Sequence, residues 1–162
     1  MNRLPASIFN DVIGPVMRGP SSSHVAGAAR IGELVRQSLN GNVKKVEVEF
    51  DVNGSLAESY HGHGSDIGFA CGILGMDLTD ETVPLACRTA EEKGIAIQYK
   101  VLDYGAVHPG NYRITAFSGD GIRTAWEAIS VGGGMVKMEK YNGFEVEICG
   151  DFYELLITLD TD

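Results

Sequence analysis

Ser21, Ser22, Ser23 and His24 follow directly on Gly19-Pro20, and His61 and His63 stand further along in the run HGHGSD. Pro20 lacks a backbone N–H and biases its neighbour away from helix. The serines then fall where a helix leaves its first N–H groups without partners. Hydroxyls, free N–H groups and the helix dipole together suit a carboxylate or a phosphate. Without a ligand the same run would be a plain serine cap. Gly27 is read as allowing a ligand to approach closely. His63 lies between Gly62 and Gly64, so side-chain bulk flanks it on neither side, and an imidazole can take a proton near neutral pH. Asn53-Gly54-Ser55 sits at the end of an alternating strand, where loops commonly carry ligand-binding groups. The candidate ligand-binding set is therefore Ser21, Ser22, Ser23, His24, Gly54, Ser55, Gly64, Ser65 and Asp66, with His63 as the candidate base. A metal site from His61, His63 and Asp66 is the weaker reading, because helical sites favour an i, i+4 pair.

The elements around these runs follow from periodicity. Ile31, Leu34, Val35 and Leu39 recur at helical spacing after the serines, and Asn40-Gly41-Asn42 ends that helix. Val46, Val48, Phe50 and Val52 alternate with Glu47, Glu49 and Asp51, which predicts a half-buried strand with an acidic outer face. Ser55 to Leu74 is rich in small residues and predicts a closely packed helix. A further helix is expected from a cap at Thr79 or Asp80, through Val83, Ala86, Cys87 and Ala90, to Gly94. Strands follow at Ile95–Val101, Tyr112–Ala116 and Ile122–Ile129, and Asn142-Gly143 predicts a hairpin joining Met135–Tyr141 to Phe144–Cys149. His108-Pro109-Gly110-Asn111 and Gly132-Gly133-Gly134 read as turns first, although the triple glycine could present backbone N–H groups. Helices first and hairpins later predict an α+β domain, with a mostly antiparallel or mixed sheet and helices on one face. Residues 1–150 form its core. Residues 151–162 are a linker with a strand at Glu154–Asp160, which either joins a sheet edge or begins a further domain.

Composition narrows the function. A chain of 162 residues suits one domain. A net charge of −9 argues against nucleic acid and anionic membranes as partners. The apolar runs are too short for a membrane span, and the N-terminus lacks a secretory apolar stretch, so a cytoplasmic location is expected. Cys71, Cys87 and Cys149 are widely spaced without a CxxC, which predicts small apolar residues with no disulfide framework and no metal centre in this chain. The glycines do not form a GxGxxG, which disfavours nucleotide binding. GPSSSH lacks the strand–elbow–helix setting of a serine hydrolase.

The runs GPSSSHVAGAARIG, NGSLAESYHGHGSD, HPGNYRI and ISVGGG resemble, in that order, the β subunit or β domain of bacterial iron–sulfur-dependent L-serine dehydratase, from about Ile8 to Gly150. That family usually has Thr at the positions of Val25 and Ser65, and often Lys at that of His61, so His61 is not expected to be essential. The resemblance implies L-serine as substrate, and pyruvate and ammonia as products, in amino-acid catabolism. It implies a [4Fe–4S] cluster carried by an α subunit or domain, acting as Lewis acid on the substrate hydroxyl. The site would be shared with that α partner, and a homodimer through the β core is a further possibility. It also implies a fold similar to the allosteric substrate-binding domain of phosphoglycerate dehydrogenase. The last residues would then be the first strand of a truncated ACT domain. The competing expectation is a non-catalytic module of the same fold that senses a small carboxylate or phosphate.

Overall fold

The computed structural model describes residues 14–157 and 159. The N-terminal run and the end of the expected terminal strand therefore lie outside the described residues. The elements run α1 (Ser22–Ser38), β1 (Val43–Asp51), α2 (Ser65–Leu74), a 3₁₀ turn (Val83–Leu85), α3 (Ala86–Glu92), then β2 (Ala96–Leu102), β3 (Asn111–Ser118), β4 (Arg123–Gly132), β5 (Met135–Tyr141) and β6 (Phe144–Ile148). The fold is α+β. Six strands form one sheet in the order β2-β1-β3-β4-β5-β6. Only β1 and β2 are parallel, and α2 and α3 lie in the crossover that a parallel pair requires.

Strand alternation puts one apolar set against the helices. Val46, Val48 and Phe50 of β1, Tyr112, Ile114 and Ala116 of β3, and Trp126 and Ala128 of β4 meet Ile31 and Val35 of α1 and Phe69 and Ile73 of α2. The opposite face carries charged rows joined across strands, such as Lys100 to Glu47 and Arg113 to Glu49. The acidic outer face stops at Glu49. Asp51 is 1% exposed and Val52 50% exposed, the reverse of the expected alternation. The strand ends at Asp51, and its carboxylate turns inward to accept hydrogen bonds from backbone N–H groups.

The helices approach through small residues. A Cβ on Gly72 would lie 2.0 Å from the Ala29 carbonyl oxygen, and one on Gly68 2.3 Å from that of Val25. Gly27 serves the same purpose against the sheet. It faces Ser130 and Val136.

Two elements differ from expectation. Asp77 and Asp80 each accept bonds from a threonine two residues on, which makes consecutive turns through Thr79 and Thr82. With Pro84 in the 3₁₀ turn, α-helix begins only at Ala86. No strand forms over Glu154–Ile157. Leu155 and Ile157 are exposed, without a neighbouring strand to pair with. The Asn142-Gly143 hairpin stands as expected, both residues with positive φ.

Candidate active site

One end of the sheet collects the loops that matter. The residues after β1, those before β3 and those ending β4 are brought together by the β1–β3 and β3–β4 pairings, and α1 starts over the same end. Asp51 organises this corner. Its carboxylate accepts bonds from the N–H groups of Asn53 (2.9 Å), Tyr104 and Ala106 (both 3.0 Å). Those donors, Ala106 foremost, hold its pKa down to about 2. Tyr104 donates to Asn111, and Asn111 Nδ2 donates to the His108 carbonyl at 2.7 Å. Gly54 passes so close to Pro109 that a Cβ would lie 2.9 Å from its carbonyl oxygen.

Between these loops and α1 lies a cleft of ≈ 240 Å³. Its polar lining is Ser23, His24, Ser55, His108 and Ser130, and Leu56 contributes apolar surface. A larger crevice, ≈ 690 Å³, runs beneath residues 150–156 beside Trp126 and Tyr141. Its lining contains no imidazole.

Ser21 occupies the N-cap position of α1, but its hydroxyl does not cap the helix. It is hydrogen-bonded to His24 Nδ1 at 2.7 Å. Its own N–H donates to the His63 carbonyl at 3.3 Å, which ties the serine run to the HGHGSD loop. The N–H groups of Ser22, Ser23 and His24 meet no acceptor among the described residues. Gly64 completes the join. It has φ +77°, and a Cβ there would come within 2.8 Å of Pro20.

The imidazoles of His24 and His63 lie face to face, tilted, with centroids 4.4 Å apart. Burial, and then the proximity of His63, lower the pKa of His24. His63 stands behind His24 and is not part of the cleft lining. Its Nδ1 is buried without a partner among the described residues. The Ser65 hydroxyl, on a residue 1% exposed, lies beside the Tyr112 hydroxyl and outside the cleft lining. Buried polar atoms without protein partners are where a ligand group or an ordered water is normally found.

Of the expected set, Ser23, His24 and Ser55 line the cleft and the others do not, with Asp66 turned towards His61. The Asp66 carboxylate accepts from His61 Nδ1 at 2.5 Å and from the Ile67 N–H at 2.8 Å, and it takes no part in the cleft. Ser22 is exposed at the helix start. His108 and Ser130 line the cleft although their runs read as turns. The presence of His108 in HPGN, and of Ser130 two residues before the glycines, was the available signal.

The three cysteines do not gather. Cys71 packs with Ala70, Val83 and Ala86, and burial pushes the Cys71 and Cys87 thiols up to about 11. Among the described residues no three His, Cys, Asp or Glu side chains converge as metal ligands. No helix of the described residues is long and apolar enough to cross a membrane.

Comparison with known proteins places this arrangement. Residues 11–91 match the model of the serine dehydratase beta chain. The chain is 42% identical over 151 residues to the probable L-serine dehydratase, beta chain, of Bacillus subtilis, covering 93% of this chain and 67% of that protein. It is 32% identical to the L-serine dehydratase, beta chain, of Peptoniphilus asaccharolyticus, covering 91% and 66%. This chain belongs to the serine dehydratase beta chain family. It spans about two thirds of those two relatives. It also matches one third of the longer L-serine dehydratase 2 of Escherichia coli, at 30% identity. The serine dehydratase beta chain match covers the serine run and the HGHGSD loop, whereas His108 and Ser130 lie beyond it.

Proposed function

We propose that this chain is the β component of an L-serine dehydratase, binding L-serine and moving its α-proton in a site completed by an α partner. The observation that carries the reading is the His24–His63 pair beside an uncapped helix start, over a cleft of serine hydroxyls. The relatives' names supply the substrate and the division into chains.

β-Elimination from serine needs an anchor for the carboxylate, a base at the α-carbon and an acid at the hydroxyl. The N–H groups of Ser22 and Ser23, with the dipole of α1, are the anchor. The hydroxyls of Ser23, Ser55 and Ser130 orient the substrate in the cleft. His63 is the base we assign; it stands behind His24, the imidazole that lines the cleft and the next candidate for the role. With its pKa lowered, His24 stays neutral and does not repel a proton arriving on His63. His108 Nδ1 accepts the Gly110 N–H at 3.0 Å, so its Nε2 carries the proton of the neutral ring and is a donor. A [4Fe–4S] cluster held by the α partner would supply Lewis-acid activation of the hydroxyl.

Pyruvate release from L-serine tests this directly. The chain should be inactive alone and should stay colourless after anaerobic reconstitution with iron and sulfide. Co-expression with a cluster-bearing partner should give activity. A chain that binds L-serine but yields no pyruvate with any such partner would instead be a sensing module.

A further inference from the structure

His61 and Asp66 bracket His63, and any kinetic effect of that bracket rests on the dehydratase reading. The stretch between them holds two glycines, Gly62 and Gly64, which leave the His63 backbone little intrinsic stiffness. Main-chain bonds hold the loop at its ends and at His63 itself, whose carbonyl also accepts the Ser21 N–H. The N–H of His63 donates to the Ser59 carbonyl at 2.8 Å, that of Gly64 to His61 at 3.0 Å, and that of Ser65 to Tyr60 at 2.8 Å. The His63 ring itself has its Nδ1 unpartnered, so its own hydrogen bonds do not fix its orientation. One side-chain bond spans the stretch, from His61 Nδ1 to Asp66 Oδ2 at 2.5 Å.

The two partners differ in environment. The Asp66 side chain is 9% exposed and that of His61 84%. A buried carboxylate needs compensation, and Asp66 receives it from the Ile67 N–H at the start of α2 and from His61. Its backbone carbonyl accepts from the Tyr99 hydroxyl of β2 at 3.1 Å, which anchors the α2 end of the bracket. We propose that His61 is a positioning residue whose charged bond to Asp66 closes the 61–66 loop and holds the His63 ring against His24.

The bracket depends on pH. The hydrogen bond and charge of Asp66 raise the pKa of His61. His61 is therefore protonated below that raised value, and as pH rises through it the bond keeps its Nδ1–H donor but loses its charge. The other titratable groups facing Asp66 are Cys87 from α3 and Tyr99 from β2. Burial pushes both upward, so they remain neutral while His61 titrates. On the other side, His24 of α1 faces His63, and its lowered pKa keeps it neutral there.

Histidine side-chain NMR of the full chain decides the matter without reference to catalysis. His61 should titrate above the ordinary imidazole value and fall back towards it in Asp66→Asn. The His63 ring signals should be sharp while His61 is charged and should broaden as it loses its proton. His61→Lys retains a cation to about pH 10 and should keep them sharp throughout. Ordinary titration of His61, or a His63 response that is the same in wild type and His61→Lys, overturns the proposal. In enzyme assembled with its α partner, His61→Ala should lower kcat by about two- to fivefold, with KM little changed. His61→Lys should restore kcat and move the alkaline limb of the pH profile upward, whereas an unmoved limb would refute the bracket. Absence of serine turnover even in wild type would reject the dehydratase reading and leave the NMR result to stand by itself.

Discussion

His24 and His63 come from separate elements, yet their ring centroids are 4.4 Å apart at an interplanar angle of 39°. The Ser21 N–H bond to the His63 carbonyl and the contact of Gly64 with Pro20 hold them there. Burial, and then the neighbouring His63 ring, lower the pKa of His24. His24 lines the cleft and His63 backs it.

Replacing His63 with Asn in the assembled enzyme should lower kcat by about 10²–10⁴-fold, the usual contribution of a general base. The same change removes a like charge beside His24. The His24 pKa, followed by NMR, should then rise part of the way to its ordinary value, because burial remains the larger cause of its depression. A kcat near that of wild type would move the role of base to His24. A raised KM with unchanged kcat would make His63 a binding group.

His108 should act on binding. Its Nδ1 is occupied by the Gly110 N–H and its donor nitrogen serves the cleft. Loss of one neutral hydrogen bond corresponds to roughly a two- to twelvefold change. His108→Ala should therefore raise KM for L-serine by about that factor, with the larger part of the effect in KM. Equal steady-state constants for variant and wild type would exclude the contact.

Gly72→Ala should destabilise the fold by about 1–3 kcal/mol, as overpacking does. The added methyl would lie 2.0 Å from the Ala29 carbonyl oxygen, and backbone cannot yield as a side-chain end can. Urea denaturation at neutral pH measures the shift in midpoint. A midpoint equal to that of wild type would show that α1 and α2 can separate without loss.

Stability should decline on acidification in two steps of different origin. The folded pKa of His24 lies below its ordinary value of about 6.5, so the unfolded chain takes up the proton first, and stability falls as pH drops from that value towards the folded one. The folded pKa of Asp51 is about 2, so its contribution is complete above about 4 and is lost as pH falls towards 2. His24→Gln should flatten the first step. Asp51→Asn should flatten the second while lowering stability at neutral pH. Thermal midpoints across the acid range separate the two, and an unchanged acid slope in Asp51→Asn would remove Asp51 from this account.

Local pattern determined most of the elements. Apolar alternation marks β1 and β3, and Asn142-Gly143 sets the last hairpin because both residues tolerate positive φ. The run of small residues between Ser55 and Leu74 signals close helix packing, since α2 can meet α1 only where side chains are minimal. The serine run and the HGHGSD loop were legible as chemistry because their residue types have few structural uses in that density. Tertiary structure decided the rest. Alternation alone puts Asp51 outside and Val52 inside, but three N–H donors from two loops make the inward turn of the carboxylate favourable. Turn chemistry alone did not place His108 and Ser130 at the cleft, because that depends on β3 and β4 pairing beside β1. Asp66 reads as a ligand group beside Ser65, yet it pairs with His61, a choice made by side-chain direction at the first turn of α2. The order of residues states which groups are available, and burial and strand pairing, which join positions far apart in the chain, decide which of them meet.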